Sequence, residues 1–157
     1  MLFMKKITPF LWFEKDAGAI AKFYASVFKE AKIKKTTKVE NTPSGTVEIV
    51  TIELFGQDFT LMNAGPLFKF TEAISFVVSC ETQKEIDYYW EKLSADPKAE
   101  QCGWCKDKYG LSWQIVPTIL NKMLSDKDSQ KTARVTQAFL QMKKFDIKAL
   151  QKAFDGK

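Results

Sequence analysis

An α+β fold is predicted for this chain of 157 residues: two βαβββ modules in tandem, about residues 5–63 and 72–117, then a helical extension over 118–157. Three features carry that reading. Stretches with the twofold alternation of strands flank stretches with the 3.6-residue apolar spacing of helices. The order strand, helix, strands occurs twice, and beyond Pro117 only helical spacing remains.

The first strand is the apolar run Ile7 to Phe13, ended by Glu14. Asp16 then stands where a side-chain oxygen caps a helix whose apolar positions Ala17, Ile20, Ala21, Tyr24, Val27 and Phe28 share one face. An extended segment from Ala31 to Val39, a turn over Asn41 to Gly45 and alternating residues from Val47 to Leu54 follow. A turn at Phe55-Gly56-Gln57-Asp58 and a returning strand, Phe59 to Met62, complete the module. The second module opens after Gly65-Pro66 with Ala73 to Cys80, rich in Val, Ile and Phe. Thr82 and Glu85 have the spacing of a capping box, ahead of Ile86, Tyr89, Trp90 and Leu93 on one helical face. Past Asp96-Pro97, Gln101 to Lys106 reads extended, Asp107 to Gly110 turns, and Ser112 to Val116 is the last strand.

Sliding one half over the other brings Phe23-Tyr24 onto Tyr88-Tyr89 at an offset of 65, and Phe55-Gly56 onto Tyr109-Gly110 at an offset of 54. The 11 residues lost between them leave little room for a middle strand in the second module. The extension carries three apolar stripes: Ile119, Leu120, Met123 and Leu124; Val135, Ala138, Phe139 and Met142; and Ile147, Leu150 and Phe154 behind a capping Asp146. Such stripes require cover, from the sheet core or from a partner subunit.

Composition narrows the chemistry. The chain has no histidine, which excludes Ser/His/Asp and Cys/His catalysis and every His-containing metal set. Three cysteines, Cys80, Cys102 and Cys105, cannot all pair within one chain, so reduced thiols and a cytoplasmic location are expected. No apolar run approaches the roughly 20 residues of a membrane span, and Lys5 and Lys6 are followed by Pro9, Glu14 and Asp16 rather than by a leader's apolar stretch. The net charge of +5 lies in the tail: residues 1–121 balance 15 Lys against 15 acids, whereas residues 122–157 hold 9 Lys and Arg against 4 Asp. Those cations interleave with acids and lack the aromatics of a single-strand binding surface, so a solvated helical face is expected rather than a nucleic-acid partner.

Four segments, ITPFLWFEKDAGAIAKFYASVF (7–28), NAGPLFKFTEAISFVVSCET (63–82), QCGWCKDKYGLSWQIVP (101–117) and AFLQMKKFDIKAL (138–150), together resemble the vicinal oxygen chelate superfamily. That superfamily includes glyoxalase I, bleomycin-resistance proteins and extradiol dioxygenases. The resemblance is closest to its PhnB-like branch, labelled 3-demethylubiquinone-9 3-methyltransferase-like. It implies that the modules form a curved mixed sheet of the glyoxalase/bleomycin-resistance type, with a ligand in the concavity and a homodimer as the common assembly. Metal-using members take four ligands from His, Glu or Gln, and by position these fall at Thr8 or Pro9, at Thr60, at Ala73 or Ile74, and at Gln114. Among these, Gln114 is the one usable ligand, so no metal and no cofactor are expected. The chain has no GxG, so the Gly-rich turn of a Rossmann-type methyltransferase is missing.

Alternation from Gln114 selects Ser112 and Val116 for the cavity face of the last strand, and Trp113 and Ile115 for the core. In the first strand, the parity of Leu11 and Phe13 with Pro9 places Phe13 in the cavity and Trp12 beneath the helix. Asn63, Phe68 and Phe70 lie on the inter-module segment, which reads either as a rim of the cavity or as a linker stapled down by its two aromatics. Trp104 reads either as pocket mouth or as core. Cys102 and Cys105 form a CxxC in an apparent strand, away from the helix N-terminus that would lower a thiol pKa, and are expected to be structural. The carboxylates Glu48, Glu53, Asp58, Glu72 and Asp107 offer no general acid/base pair: the first two alternate across one strand, and Asp58 and Asp107 suit turns.

Two functional expectations follow. One is a metal-free protein that binds a small aromatic or amphipathic molecule, with Phe13, Thr60, Asn63, Phe68, Phe70, Trp104 and Gln114 as ligand-binding residues. The other is an enzyme using a divalent metal or a supplied cofactor in the same cleft.

Overall fold

The computed structural model describes residues 6–157, so Lys5, from which the first module was counted, lies outside the described residues. The chain forms two compact units, one closing at Lys69 and the other opening at Phe70.

The first unit has the order β1 (Phe10–Phe13), α1 (Ala17–Val27), β2 (Lys32–Thr42), β3 (Gly45–Leu54) and β4 (Gln57–Asn63). This is the expected βαβββ sequence of elements. The sheet runs β1-β4-β3-β2, with β1 parallel to β4 and the other neighbours antiparallel. α1 forms because Asp16, held at φ 60°, accepts from the Ala19 amide at 2.9 Å, and Ala17, Ile20, Ala21, Tyr24 and Val27 are buried on one face. Against it the sheet sets Leu11, Phe13, Val50, Ile52, Leu54, Phe59 and Leu61, all buried. Glu48 belongs to the same face, where its carboxylate accepts from the Gly18 amide at 3.0 Å, whereas Glu53 faces the other way.

The second unit repeats the plan one strand short: β5 (Ser75–Cys80), α2 (Gln83–Leu93), a 3-10 turn at Pro97–Ala99, β6 (Trp104–Lys106) and β7 (Ser112–Pro117), in the sheet order β5-β7-β6. β5 is parallel to β7, as β1 is to β4. The capping box of Thr82 and Glu85 is formed in both directions, and Ile86, Tyr89 and Leu93 are buried beneath α2, with Trp90 partly exposed. The loss of 11 residues thus removes one strand of the repeat and shortens its neighbour to three residues.

The extension folds as α3 (Thr118–Leu124), α4 (Ser129–Leu140) and α5 (Ile147–Asp155) within the second unit. Asp146 caps α5 as its spacing predicts, accepting from Ala149 at 2.9 Å. Leu120, Met123, Val135 and Leu150 of the stripes are buried by their own chain, whereas Leu124 is 39% exposed and the other stripe residues are partly exposed. Arg134 donates to the Ala153 and Phe154 carbonyls at the end of α5, and Lys143 and Lys144 pair with Glu100 and Asp87. Three of the tail's cations therefore serve its own packing. No helix among the described residues is long and apolar enough to cross a membrane.

Candidate functional site

In each unit one sheet face is covered by a helix, and the opposite face carries the residues available for a ligand. In the first unit the register Phe10 to Thr60 and Trp12 to Met62 places Phe10, Trp12, Thr60 and Met62 together on that open face. Phe13 is not among them. It is 3% exposed and pairs with Asn63 on the α1 side, because Leu11 and Phe13 continue the apolar row of Phe59 and Leu61. This corrects the assignment of Phe13 to the cavity and of Trp12 to the core. Counting alternation from Thr8 instead of Pro9 selects Phe10 and Trp12, and the matching alternation of Phe59 and Leu61 in β4 was the available signal.

Asn63 also turns to the helix side. Its Oδ1 accepts from the Ala17 amide at 3.4 Å and the Glu48 amide at 3.3 Å, which ties α1 to the sheet. Thr60 stays on the open face, its amide donating to the Pro9 carbonyl at 2.9 Å. The segment after β4 folds onto Trp12: the indole Nε1 donates to the Gly65 carbonyl at 2.8 Å, and the Phe68 ring meets the indole edge-on at 5.0 Å. The Ala64 and Gly65 amides bond to the Phe13 and Glu14 carbonyls, so the linker is stapled at its start. Phe68 nevertheless remains 59% exposed.

In the second unit the rows of the open face are Ser75, Ser112 and Lys106, then Val77, Gln114 and Trp104. Trp113 and Ile115 are buried on the other side, as alternation from Gln114 requires. Gln114 Nε2 donates to Ser75 Oγ at 2.8 Å, and Trp104, partly exposed, lies beside Gln114 across the strand pair. Phe70, also partly exposed, opens this unit before β5. Sequence reasoning passed over Ser75 and Lys106, whose placement depends on a strand pairing that spacing alone does not specify.

Two other groups resolve into structural roles. Asp107, 3% exposed, accepts from the Tyr109 and Leu111 amides and from Trp113 Nε1, at 2.8, 3.1 and 2.8 Å, which closes the turn before β7. Cys80 and Cys105 are buried, and burial pushes both thiols up to about 12, the reverse of a reactive thiolate.

Residues 5–116 match the model of the 3-demethylubiquinone-9 3-methyltransferase family. The chain belongs to that family. It is the PhnB-like branch of the vicinal oxygen chelate superfamily. The chain is similar to the PhnB protein from Bacillus cereus, with 35% identity over 73% of this chain and 100% of that one, and a TM-score of 0.61. Its fold is also that of protein PA1353 from Pseudomonas aeruginosa, at 12% identity, 73% and 98% coverage and a TM-score of 0.56. The fosfomycin resistance protein FosX from Listeria monocytogenes is a third likeness of fold, at 13% identity, 73% and 94% coverage and a TM-score of 0.51. A search of curated proteins finds no match.

The superfamily's metal does not fit the donors in this PhnB-like chain. Pro9, Ala73 and Ile74 have no side-chain donor, and the Gln114 amide oxygen by itself falls short of the three or more protein ligands a divalent ion wants. No group of three or more His, Cys, Asp or Glu side chains converges among the described residues. The S-adenosylmethionine suggested by the family's name also lacks its usual frame, since neither sheet is the doubly wound parallel sheet of a Rossmann-type methyltransferase.

Proposed function

We propose that this PhnB-like protein binds a small aromatic or amphipathic molecule against an open sheet face, through side chains and without a metal. The observation that carries the reading is the second unit's open face, where Trp104, Val77 and Gln114 lie side by side while Val78, Cys105, Trp113 and Ile115 of the opposite face are buried. An apolar wall with one amide fits the usual make-up of a small-molecule site, in which a few polar groups set orientation. Val77 is 56% exposed although it lies mid-strand, and a ligand would cover it. In the first unit the pair of Trp12 and Phe68 offers a second aromatic surface. The likeness to FosX, a fosfomycin resistance protein, supports a protective or sequestering role only at the level of fold. A homodimer belongs to the same proposal.

The test is a thermal-shift screen of small aromatic molecules on the full chain, paired with metal analysis of protein purified without chelator. A ligand that binds the folded state raises the melting temperature with concentration, and Trp104→Ala is expected to abolish that rise for the best compound. A stoichiometric metal ion that is lost in Gln114→Ala would overturn the reading in favour of a metal-dependent enzyme.

A further inference from the structure

The second unit's open face also holds polar chemistry that an apolar ligand would leave unused. Ser112 is 1% exposed, and its Oγ has no hydrogen-bond partner. Register sets Ser75 on one side of it and Lys106 on the other. The Ser75 oxygen already receives the Gln114 amide. The Lys106 ammonium is held by the Glu72 carboxylate, and this pair is unequal: the lysine side chain is 22% exposed, the glutamate 62%. A sheltered cation beside a desolvated hydroxyl thus has a solvent-facing acid as its partner, with an indole one row away.

We propose that this face takes an aromatic carboxylate, whose anionic group displaces Glu72 from Lys106 and accepts the Ser112 hydroxyl while its ring lies along Trp104. The inference rests on the ligand-binding reading above and names the class of ligand. Three physical points carry it. Lys106 already binds a carboxylate, so the recognition chemistry is present in the free protein. Glu72 returns to water readily, because an exposed ion pair holds its acid weakly. The Ser112 hydroxyl has lost its water in the free protein, so an incoming acceptor gains a hydrogen bond without further desolvation of that group. Glu72 is then a built-in competitor, and Lys106, which holds it ionised below its ordinary range, is the group for which it competes.

Benzoate and the neutral benzyl alcohol, titrated by calorimetry into the full chain and three variants, test this. Glu72→Gln removes the competing charge and is expected to tighten benzoate about fivefold, while Lys106→Met weakens it about tenfold or more. Ser112→Ala is expected to weaken benzoate about fivefold without lowering the melting temperature, since it removes an unsatisfied buried group. Benzyl alcohol is expected to bind all four proteins alike. Benzoate affinity that is indifferent to Glu72→Gln and Lys106→Met overturns the inference, and if benzyl alcohol still saturates, the ligand-binding reading stands without it. If neither probe saturates wild type or Glu72→Gln, both readings fall.

Discussion

The two repeats solve the same edge problem by different means. In the first unit the outer strand β2 is eleven residues long and exposed along nearly its whole length, and Lys32, Lys34, Lys35 and Lys38 stud it. Charge on an edge discourages pairing with another chain. In the second unit the outer strand is only Trp104–Lys106, and the backbone just ahead of it is occupied: the Cys102 and Gly103 amides donate to the Met142 and Lys143 carbonyls at 2.8 and 2.7 Å. The link between α4 and α5 covers what a shortened repeat leaves open. A repeat can therefore lose a strand when a following segment satisfies the freed backbone groups.

The sharpest way to break that arrangement is at Gly103. A Cβ there would lie 2.3 Å from the Phe145 ring and 3.0 Å from the Ile115 carbonyl, at φ +80°. Gly103→Ala is expected to cost about 3 kcal/mol in urea denaturation, from overpacking added to backbone strain. Gly45 in the first unit has φ +81° and nothing within 4 Å, so Gly45→Ala should cost only about 1 kcal/mol. Equal costs would show that Phe145 does not pack on Gly103.

The next contrast lies at repeat-equivalent acids. Asp107→Ala leaves two amides and the Trp113 indole N–H without their acceptor in a buried turn, a loss of about 3 kcal/mol. Glu53, its counterpart at an offset of 54, pairs with Lys34 at the surface, and Glu53→Ala should leave the urea midpoint nearly unmoved. Gln83 probes the cover itself, since its amide donates to the Phe145 carbonyl at 3.0 Å and accepts from the Ile147 amide at 2.9 Å. Gln83→Ala is expected to cost about 1–2 kcal/mol and to speed hydrogen exchange in α5 more than in β3.

The smallest effect concerns the second unit's thiols. At pH 8 the native protein should alkylate at Cys102 while Cys80 and Cys105 resist, and mass mapping of the labelled peptides reads this directly. Both buried thiols are raised from 9.0 to about 12. Keeping them protonated contributes stability that is full below pH 9 and is lost as pH rises towards about 12, so alkaline titration of a Cys80→Ala variant should show a shallower decline.

Much of this was legible along the chain. The caps at Asp16, Thr82 and Asp146 and the buried faces of α1 and α2 depend on contacts within a few residues or on a period fixed by the helix itself. The shortened second repeat was legible as a length. The faces of β1 were misread, because a strand's alternation states that Trp12 and Phe13 oppose each other but does not say which one meets α1. Asn63 is expected among the ligand-binding residues, yet its side chain bonds across 46 residues to the Ala17 amide.

The order of elements, the missing strand, the absence of imidazole chemistry and the family were determined by the sequence alone, since local periodicity and residue identity suffice for them. Only tertiary structure decided that Trp12 and not Phe13 takes the open face, that the tail's stripes are covered in part by their own unit, and that Ser75, Ser112 and Lys106 form one row. The physical reason is register: strand pairing brings together Phe10 and Thr60, 50 positions apart, and Ser75 and Ser112, 37 positions apart, and no spacing along the chain encodes which partners meet.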